Sequence, residues 1–193
     1  TDFSAATRHI TGRALNGNEL VFTGVDLSDG DYFTISLDPG VCIDGVWEGT
    51  VRTDWNNAAY RSCGNLPNST IDVIIPSGAP NYPVLSSGDN VSVRSFTIDA
   101  GGSLTASNVG MNFPTVTVFG DYAKNGSITG RLNMAFEGSA AQTISGNNMF
   151  ATLNVNNANG VTVSSGTQDI RVGVELETGA LTTNGNVVIR STS

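Results

Sequence analysis

Short strand-like phrases recur at a nearly constant spacing between positions 71 and 189 of this chain. The phrases alternate apolar, polar and apolar residues, except that the first has Ile74 at its middle position, and the first residues of successive phrases lie 23, 20, 16, 21 and 21 positions apart. The phrases begin at Val73, Phe96, Val116, Leu132, Leu153 and Val174. Strands this short cannot bury a face alone, so the repeat indicates the stacked coils of a β-solenoid.

The register of the repeat predicts which side chains share a column. Successive side chains of a strand point to opposite faces, and a step of 21 positions (174 − 153) places Val174 on Leu153 and Glu175 on Asn154. The same step backwards places Leu132 on Leu153. We therefore expect one continuous core. Its inward positions are Phe96, Ile98, Val116, Val118, Leu132, Met134, Leu153, Val155, Val174 and Leu176.

Turn chemistry excludes a helical interpretation of the repeat. The chain has 23 glycines, and Asn-Gly pairs such as Asn125-Gly126 and Asn159-Gly160 follow the strand phrases. The predicted fold is all-β: a parallel β-helix with an N-terminal β cap, right-handed because parallel crossovers nearly always are. A β-sandwich is the alternative, since it also has short strands and many turns, but it has no reason to keep a fixed period.

The period predicts three segments. Residues 1–40 do not follow it and carry strand phrases at 19–23 and 32–37, which indicates a β-hairpin or the remnant of a preceding β-domain. Residues 41–70 contain both tryptophans and form a cap loop, and residues 71–193 form the coils. Because an apolar strand phrase at 187–189 would leave an uncovered edge, we expect residue 193 to lie inside a longer rod.

Composition narrows the range of expected partners and of cellular compartments. Only 13% of the residues are charged, the net charge is −8, and Lys124 is the only lysine. An acidic surface repels phosphate backbones, which argues against nucleic-acid binding, and no stretch approaches the roughly 18–20 apolar residues of a membrane helix. Few Lys and Glu with abundant Thr, Ser, Asn and Gly are typical of secreted or cell-surface bacterial proteins.

The two cysteines predict a disulfide. Cys42 and Cys63 lie 21 positions apart in a turn-rich segment, and a bond between them would stabilise an exported protein by about 3 kcal/mol on the chain-entropy model. Two free thiols are the alternative. A metal site would need more ligands, and the lone His9 is distant in sequence.

An aspartate-rich segment is a candidate calcium loop. Asp26, Ser28, Asp29 and Asp31 offer several oxygen ligands within a short stretch, and Ca²⁺ prefers such ligands. The twelfth position of an EF-hand would require a bidentate Glu, and Leu37 stands there. A plain Asp-rich turn is therefore the favoured interpretation, and no other cofactor is predicted.

Three aromatic residues ahead of the coils have two interpretations. Trp47, Trp55 and Tyr60 could form a platform on which sugar rings stack, which would make them a carbohydrate-binding site. They could instead cover the open strand edges and inward apolar groups of the first coil, which would otherwise invite association. We favour the cap.

The enzyme-like feature is a pair of carboxylates on one strand face. Glu175 and Glu177 would lie about 7 Å apart by strand rise, within the roughly 5–9.5 Å that glycosidases use. Asn154 and Asn156 occupy the equivalent positions one coil earlier, so nothing nearby supplies a partner. Two solvated charges are the simpler interpretation, and we predict no catalytic residue.

Several segments together resemble a known repeat region. They are residues 45–49 (GVWEG), 53–60 (TDWNNAAY), 66–78 (LPNSTIDVIIPSG), 96–105 (FTIDAGGSLT), 139–146 (SAAQTISG) and 150–163 (FATLNVNNANGVTV). This series resembles the β-helical repeat region of large secreted surface proteins of Bacteroidota. Tyr60 stands where that family usually has a second Trp, and the cysteine pair is not general in it.

The resemblance implies a place in a multidomain protein, often exported by the type IX system and anchored outside the cell. It implies little chemistry. The predicted function is a non-catalytic structural or adhesive module, whose partners would be glycans, cell-surface molecules and flanking domains of the same protein. A carbohydrate-binding module is the alternative, and a β-helical enzyme acting on polysaccharides is the third.

Overall fold

The computed structural model of this chain describes residues 14–16, 19–21, 44–50, 52–61 and 63–190. The chain divides into two compact units, Thr1–Pro39 and Gly40–Ser193. In the first unit, strands β1 (Ala14–Asn16) and β2 (Glu19–Val21) pair antiparallel. The predicted strand at residues 32–37 lies outside the described residues.

The second unit is a stack of parallel β-strands, which confirms the predicted all-β solenoid. A single-turn 3-10 helix (Ala58–Tyr60) precedes the strands. The strands are β3 (Val73–Ile75), β4 (Val84–Leu85), β5 (Asn90–Val93), β6 (Phe96–Ile98), β7 (Ser103–Ala106), β8 (Thr115–Val118), β9 (Tyr122–Lys124), β10 (Ser127–Gly130), β11 (Leu132–Phe136), β12 (Gln142–Ser145), β13 (Asn148–Asn156), β14 (Val161–Val163), β15 (Gln168–Thr178), β16 (Leu181–Thr182) and β17 (Val187–Ile189).

The strands form three sheets, and every strand pair within them is parallel. The first sheet has the order β16-β14-β12-β9-β6-β3, and the second has the order β17-β15-β13-β11-β8-β5. The third sheet is shorter, with the order β10-β7-β4. The chain therefore visits three sheets in each early coil and two in each later coil, where the strands β13 and β15 lengthen to 9 and 11 residues.

Alternating side chains and glycine turns produce this path. In β3, Val73 and Ile75 are buried while Ile74 between them is partly exposed, as a strand with one inward face requires. At a turn, Gly146 has φ +87°, and a Cβ there would lie 1.9 Å from the carbonyl oxygen of Lys124 in the preceding coil. Only glycine fits such a position, so the turn brings the next coil into close contact with the one before it.

The predicted register is right for one pair of coils and wrong for another. Leu153 pairs with Val174, as the sequence repeat predicts. Leu132, however, pairs with Phe150, while Met134 pairs with Leu153. The step between these coils is 19 positions (153 − 134), and the register shifts directly after Leu132, so the prediction was displaced by two positions.

The predicted single core column is also divided between sheets. Phe96 lies on the first sheet and Val116 on the second, so their side chains approach the interior from different sides. Eight of the ten predicted inward residues are buried, and the two exceptions are Val174, which is partly buried, and Leu176, which is 58% exposed. Both exceptions lie in the second half of β15. Their side chains are less covered because β17 pairs only with the first half of this strand.

An aromatic stack runs through the interior across several coils. Trp55, Phe96, Tyr122 and Phe150 follow one another with ring-centroid separations of 5.8, 5.7 and 6.0 Å. Each such pair contributes about 0.5–1.5 kcal/mol beyond the area it buries. The stack therefore ties the residues ahead of the first coil to the middle of the solenoid.

Candidate functional site

Both tryptophans are buried, which overturns the sugar-stacking interpretation for these two residues. Trp47 is 0% exposed and Trp55 is 1% exposed, so neither ring face can reach a pyranose. The Trp47 Nε1–H donates to the carbonyl oxygen of Asn81 at 2.7 Å. Tyr60 ends the 3-10 helix, and the position of its side chain lies outside what the structure describes.

The segment around the tryptophans covers the start of the coils. Val46 forms a parallel bridge to Ile74 of β3, and Asp54 forms one to Val84 of β4. These bridges pair main-chain groups that would otherwise be exposed at the first edges of two sheets. The position of the segment is the one that the cap interpretation requires.

A buried arginine lies between the two indoles. Arg61 is 3% exposed, and its guanidinium carbon lies 5.3 Å from the Trp47 ring centroid and 4.5 Å from that of Trp55. Burial lowers the pKa of Arg61 to about 10, and the charge of Asp44 acts in the opposite direction. Its Nη2 donates to the carbonyl oxygen of Trp55 at 3.5 Å, while Nε and Nη1 have no hydrogen-bond partner, so the two indole faces contribute to compensating the buried charge.

Several predicted site residues belong to the part of the chain that the structure does not describe. Asp26, Asp29 and Asp31 of the candidate calcium loop lie outside the described residues, and so does Cys42. Cys63 lies in the turn that follows the 3-10 helix, and its disulfide with Cys42 stays a prediction. Within the described ranges, no group of three or more His, Cys, Asp or Glu side chains could hold a metal ion.

The predicted carboxylate pair is bound by the neighbouring coil. Asn154 Nδ2 donates to Glu175 Oε2 at 3.2 Å and to Glu177 Oε1 at 2.6 Å. One coil earlier, the Thr152 hydroxyl donates to Asn133 Oδ1 at 2.9 Å. Outward side chains of the second sheet thus connect neighbouring coils by hydrogen bonds.

Other carboxylates also connect successive coils. Arg94 Nε donates to Asp72 Oδ1 at 2.6 Å, and the hydrogen bonds from Arg94 lower the pKa of Asp72. Asp121 Oδ1 accepts from the main-chain N–H of Thr143 at 2.7 Å. The Arg94–Asp72 pair is well exposed, so solvent screening leaves it little effect on stability.

Polar side chains inside the stack were missed by sequence reasoning. Gln142 is buried and uses all four of its hydrogen-bonding positions, and Asn148 bonds to Gln168 of the next coil at 2.7 Å. Asn148 Oδ1 also accepts from the buried hydroxyl of Tyr122 at 2.9 Å. The available signal was an amide residue at the first, inward position of β12, β13 and β15, where an apolar residue was expected.

A cleft lies where the third sheet ends. Its volume is about 370 Å³, and β10 has a strand partner on one side only. In the coils after β10, turns before β13 and β15 take the place of a strand in the third sheet. This change of path leaves the cleft open. The cleft is lined by Lys124, Ile128, Asn147, Asn148, Met149, Thr167 and Asp169.

The charges around this cleft favour an anion. Asp169 Oδ2 accepts from Arg171 Nη2 at 2.7 Å and lies 3.2 Å from Arg190 Nε in an ion pair, so two cations offset its negative charge. Lys124 Nζ donates to the carbonyl oxygen of Gly126 at 3.1 Å, and partial burial lowers the pKa of Lys124. Among the side chains that line the cleft, Lys124 is the cation and Asp169 is the anion, and Asp169 is paired with two arginines that lie outside the lining.

Comparison with protein-family models, curated proteins and solved structures finds no match to this chain. The membership suggested by the repeat phrases therefore stays a prediction. None of the helices in the described residues has the length and apolar character needed to cross a membrane. A fold alone does not define function, which depends on the side chains that the fold brings together.

Proposed function

We propose that this chain is a non-catalytic structural and adhesive module of a secreted or cell-surface protein. The observation that carries the proposal is the continuous parallel stack, in which two six-stranded sheets enclose a filled core. Repeat proteins of this kind transmit load through neighbouring contacts and present extended surfaces to partners.

The use of the polar side chains supports a structural role. The carboxylates of Glu175, Glu177 and Asp72 accept hydrogen bonds from the adjacent coil, and the amide of Gln142 bonds to both neighbouring coils. These hydrogen bonds connect adjacent coils, which supports a structural use of the three carboxylates and of the amide.

An assay of polysaccharide cleavage tests the non-catalytic part. We expect no release of reducing ends when the purified chain is incubated with neutral, acidic and amino polysaccharides. The matched control is the Glu175→Gln, Glu177→Gln double variant, which keeps the shape of both side chains. Cleavage by the native chain that this variant loses would show that the chain is an enzyme.

Bead adhesion under flow tests the adhesive part. We expect beads coated with the folded chain to remain on surfaces of bacterial or host polysaccharide longer than beads coated with the heat-unfolded chain. Equal detachment from every surface would contradict an adhesive role.

Carbohydrate binding is a second candidate function. The cleft supports it, whereas the buried tryptophans do not. Its 370 Å³ volume lies at the lower end of the range for small-ligand sites, about 300–1,000 Å³.

A further inference from the structure

We propose that the cleft beside β10 binds an acidic saccharide, whose carboxylate pairs with Lys124. This inference rests on the proposed adhesive function, for which it names a class of ligand. It places the contact on the side of the solenoid, away from the aromatic cap that the sequence suggested. Three features of the cleft support it: its charge, its hydrogen-bonding groups and its exposed apolar surface.

The charge of the cleft differs from that of the whole chain. The chain has a net charge of −8 and one lysine, and that lysine lines the cleft. Asp169 would oppose an anion, but its ion pairs with Arg171 and Arg190 offset its charge. Exposed charges more than about 8 Å away are largely screened at physiological salt, so Lys124 and the paired Asp169 dominate the electrostatics of the cleft.

The hydrogen-bonding groups suit a ligand with several hydroxyls. Asn147 Oδ1 accepts from the main-chain N–H of Thr167 at 2.9 Å, which fixes the side-chain amide and leaves its Nδ2 as a donor. The Thr167 hydroxyl can donate or accept. Because β10 ends its sheet, the main-chain groups on its outer edge also lack a strand partner and face this side of the fold.

The apolar part of the cleft suits the C–H face of a sugar ring. Met149 is 46% exposed, and Ile128 is partly buried beside it. Both residues line the same cleft as Lys124. An extended peptide could also pair with the edge of β10, but that edge is only four residues long, and the cleft has the size of a small-ligand site.

A titration followed by nuclear magnetic resonance tests the inference. The ¹⁵N-labelled chain is titrated with a trisaccharide of galacturonic acid and, as the matched neutral probe, with a trisaccharide of galactose. We expect the acidic probe to shift the main-chain amide signals of Ile128, Asn147, Met149 and Thr167 in a saturable way, with a millimolar Kd. The neutral probe should leave these signals in place.

Three variants assign the binding to the lysine. Lys124→Met keeps the aliphatic stem and removes the charge, and we expect at least a ~10-fold weaker Kd from the lost charge-assisted bond. Lys124→Arg restores the charge and should restore binding. Arg52→Met makes the same change of net charge at an exposed position of the cap, and it should bind like the native chain. The spectra of the free variants report whether each one folds.

Equal shifts by the acidic and neutral trisaccharides, or unchanged affinity in Lys124→Met, would overturn the inference. So would a tetra-aspartate peptide that shifts the same amides at lower concentration than the acidic sugar, because the ligand would then be a peptide. The bead assay separates this result from the proposed function. Beads that still adhere while the acidic sugar fails to bind would leave the adhesive role standing without this site.

Discussion

The buried amide of Gln142 provides a sharp test of how the coils are held together. Its Nε2 donates to the carbonyl oxygens of Val118 and Gly120, and its Oε1 accepts from the Gly138 N–H and from Asn157 Nδ2, each at 2.8 Å. Gln142→Leu removes all four bonds at nearly constant volume. The cost depends on which partners then have no other bond.

Two of the four partners keep a bond after the substitution. The Val118 oxygen still accepts from the Glu137 N–H at 3.0 Å, and Asn157 Nδ2 still donates to the Ala140 oxygen at 2.7 Å. The Gly138 N–H is buried and becomes unpaired, while the Gly120 oxygen is less buried and can reach water. An unpaired buried group costs roughly 1–3 kcal/mol, which applies to the Gly138 N–H, and the Gly120 oxygen should cost less. We therefore expect the unfolding free energy to fall by about 2–4 kcal/mol.

Urea unfolding followed by circular dichroism measures this loss. The matched control is Thr143→Leu, which changes the adjacent, partly exposed residue and should alter the unfolding free energy by less than about 0.5 kcal/mol. If Gln142→Leu proves as stable as this control, the hydrogen bonds of Gln142 do not hold the coils together and the reasoning is wrong.

An isosteric variant adds a pH dependence with a definite sign. In Gln142→Glu, an ionised carboxylate would face two carbonyl oxygens, so its folded-state pKa should rise above the unfolded value of about 4.3. A raised carboxyl pKa gives stability that is present at low pH and lost as the pH rises through the folded value. The unfolding free energy of the variant should therefore fall further below that of the native chain as the pH rises from about 4 to about 7. A constant difference across this range would contradict the expected pKa shift.

Three further outcomes are expected. Reduction of the unfolded chain should add about 2 Da if Cys42 and Cys63 are bonded, and it should lower Tm; no change of mass would exclude the bond. Arg61→Ala should cost about 3 kcal/mol in urea unfolding because a void opens between two indoles, whereas Arg61→Met should cost at least about 1 kcal/mol less, since its longer side chain fills most of that space. In hydrogen exchange, amides 187–189 should exchange faster than amides 153–155, because β17 has one strand partner and β13 has two. Equal protection of the two segments would contradict that expectation.

The sequence predicted the fold because the repeat carries both of its determinants, period and alternation. The pairing of Leu153 with Val174 follows from a step of 21 positions (174 − 153), which continues unshifted as far as Val155. The pairing of Leu132 could not be predicted in the same way, because its coil is shorter and the register shifts beside it. A column assigned by period alone also cannot distinguish sheets, and Phe96 and Val116 consequently share a core without sharing a strand ladder.

The candidate site was less accessible to sequence reasoning. Lys124 and Thr167 are 43 positions apart (167 − 124), and only the ending of the third sheet at β10 brings them to the same cleft. Whether Trp47 and Trp55 are buried or exposed depends on the positions of Arg61 and the first coils. No local sequence pattern specifies those positions. Interior amides such as Gln142 were overlooked because an apolar residue is the usual occupant of an inward strand position.

The parallel ladders also determine how the described coils would respond to tension. Every ladder bond joins a strand to the strand of the coil above or below it, so a force on the last coil acts on that coil alone before it reaches the next. One coil runs from Leu153 to its ladder partner Val174, and its release would lengthen the tether by about 70 Å of extended chain. An attachment made through this module would therefore lengthen under tension in a series of small unfolding steps. Each step would relieve part of the force before it reaches the anchoring point.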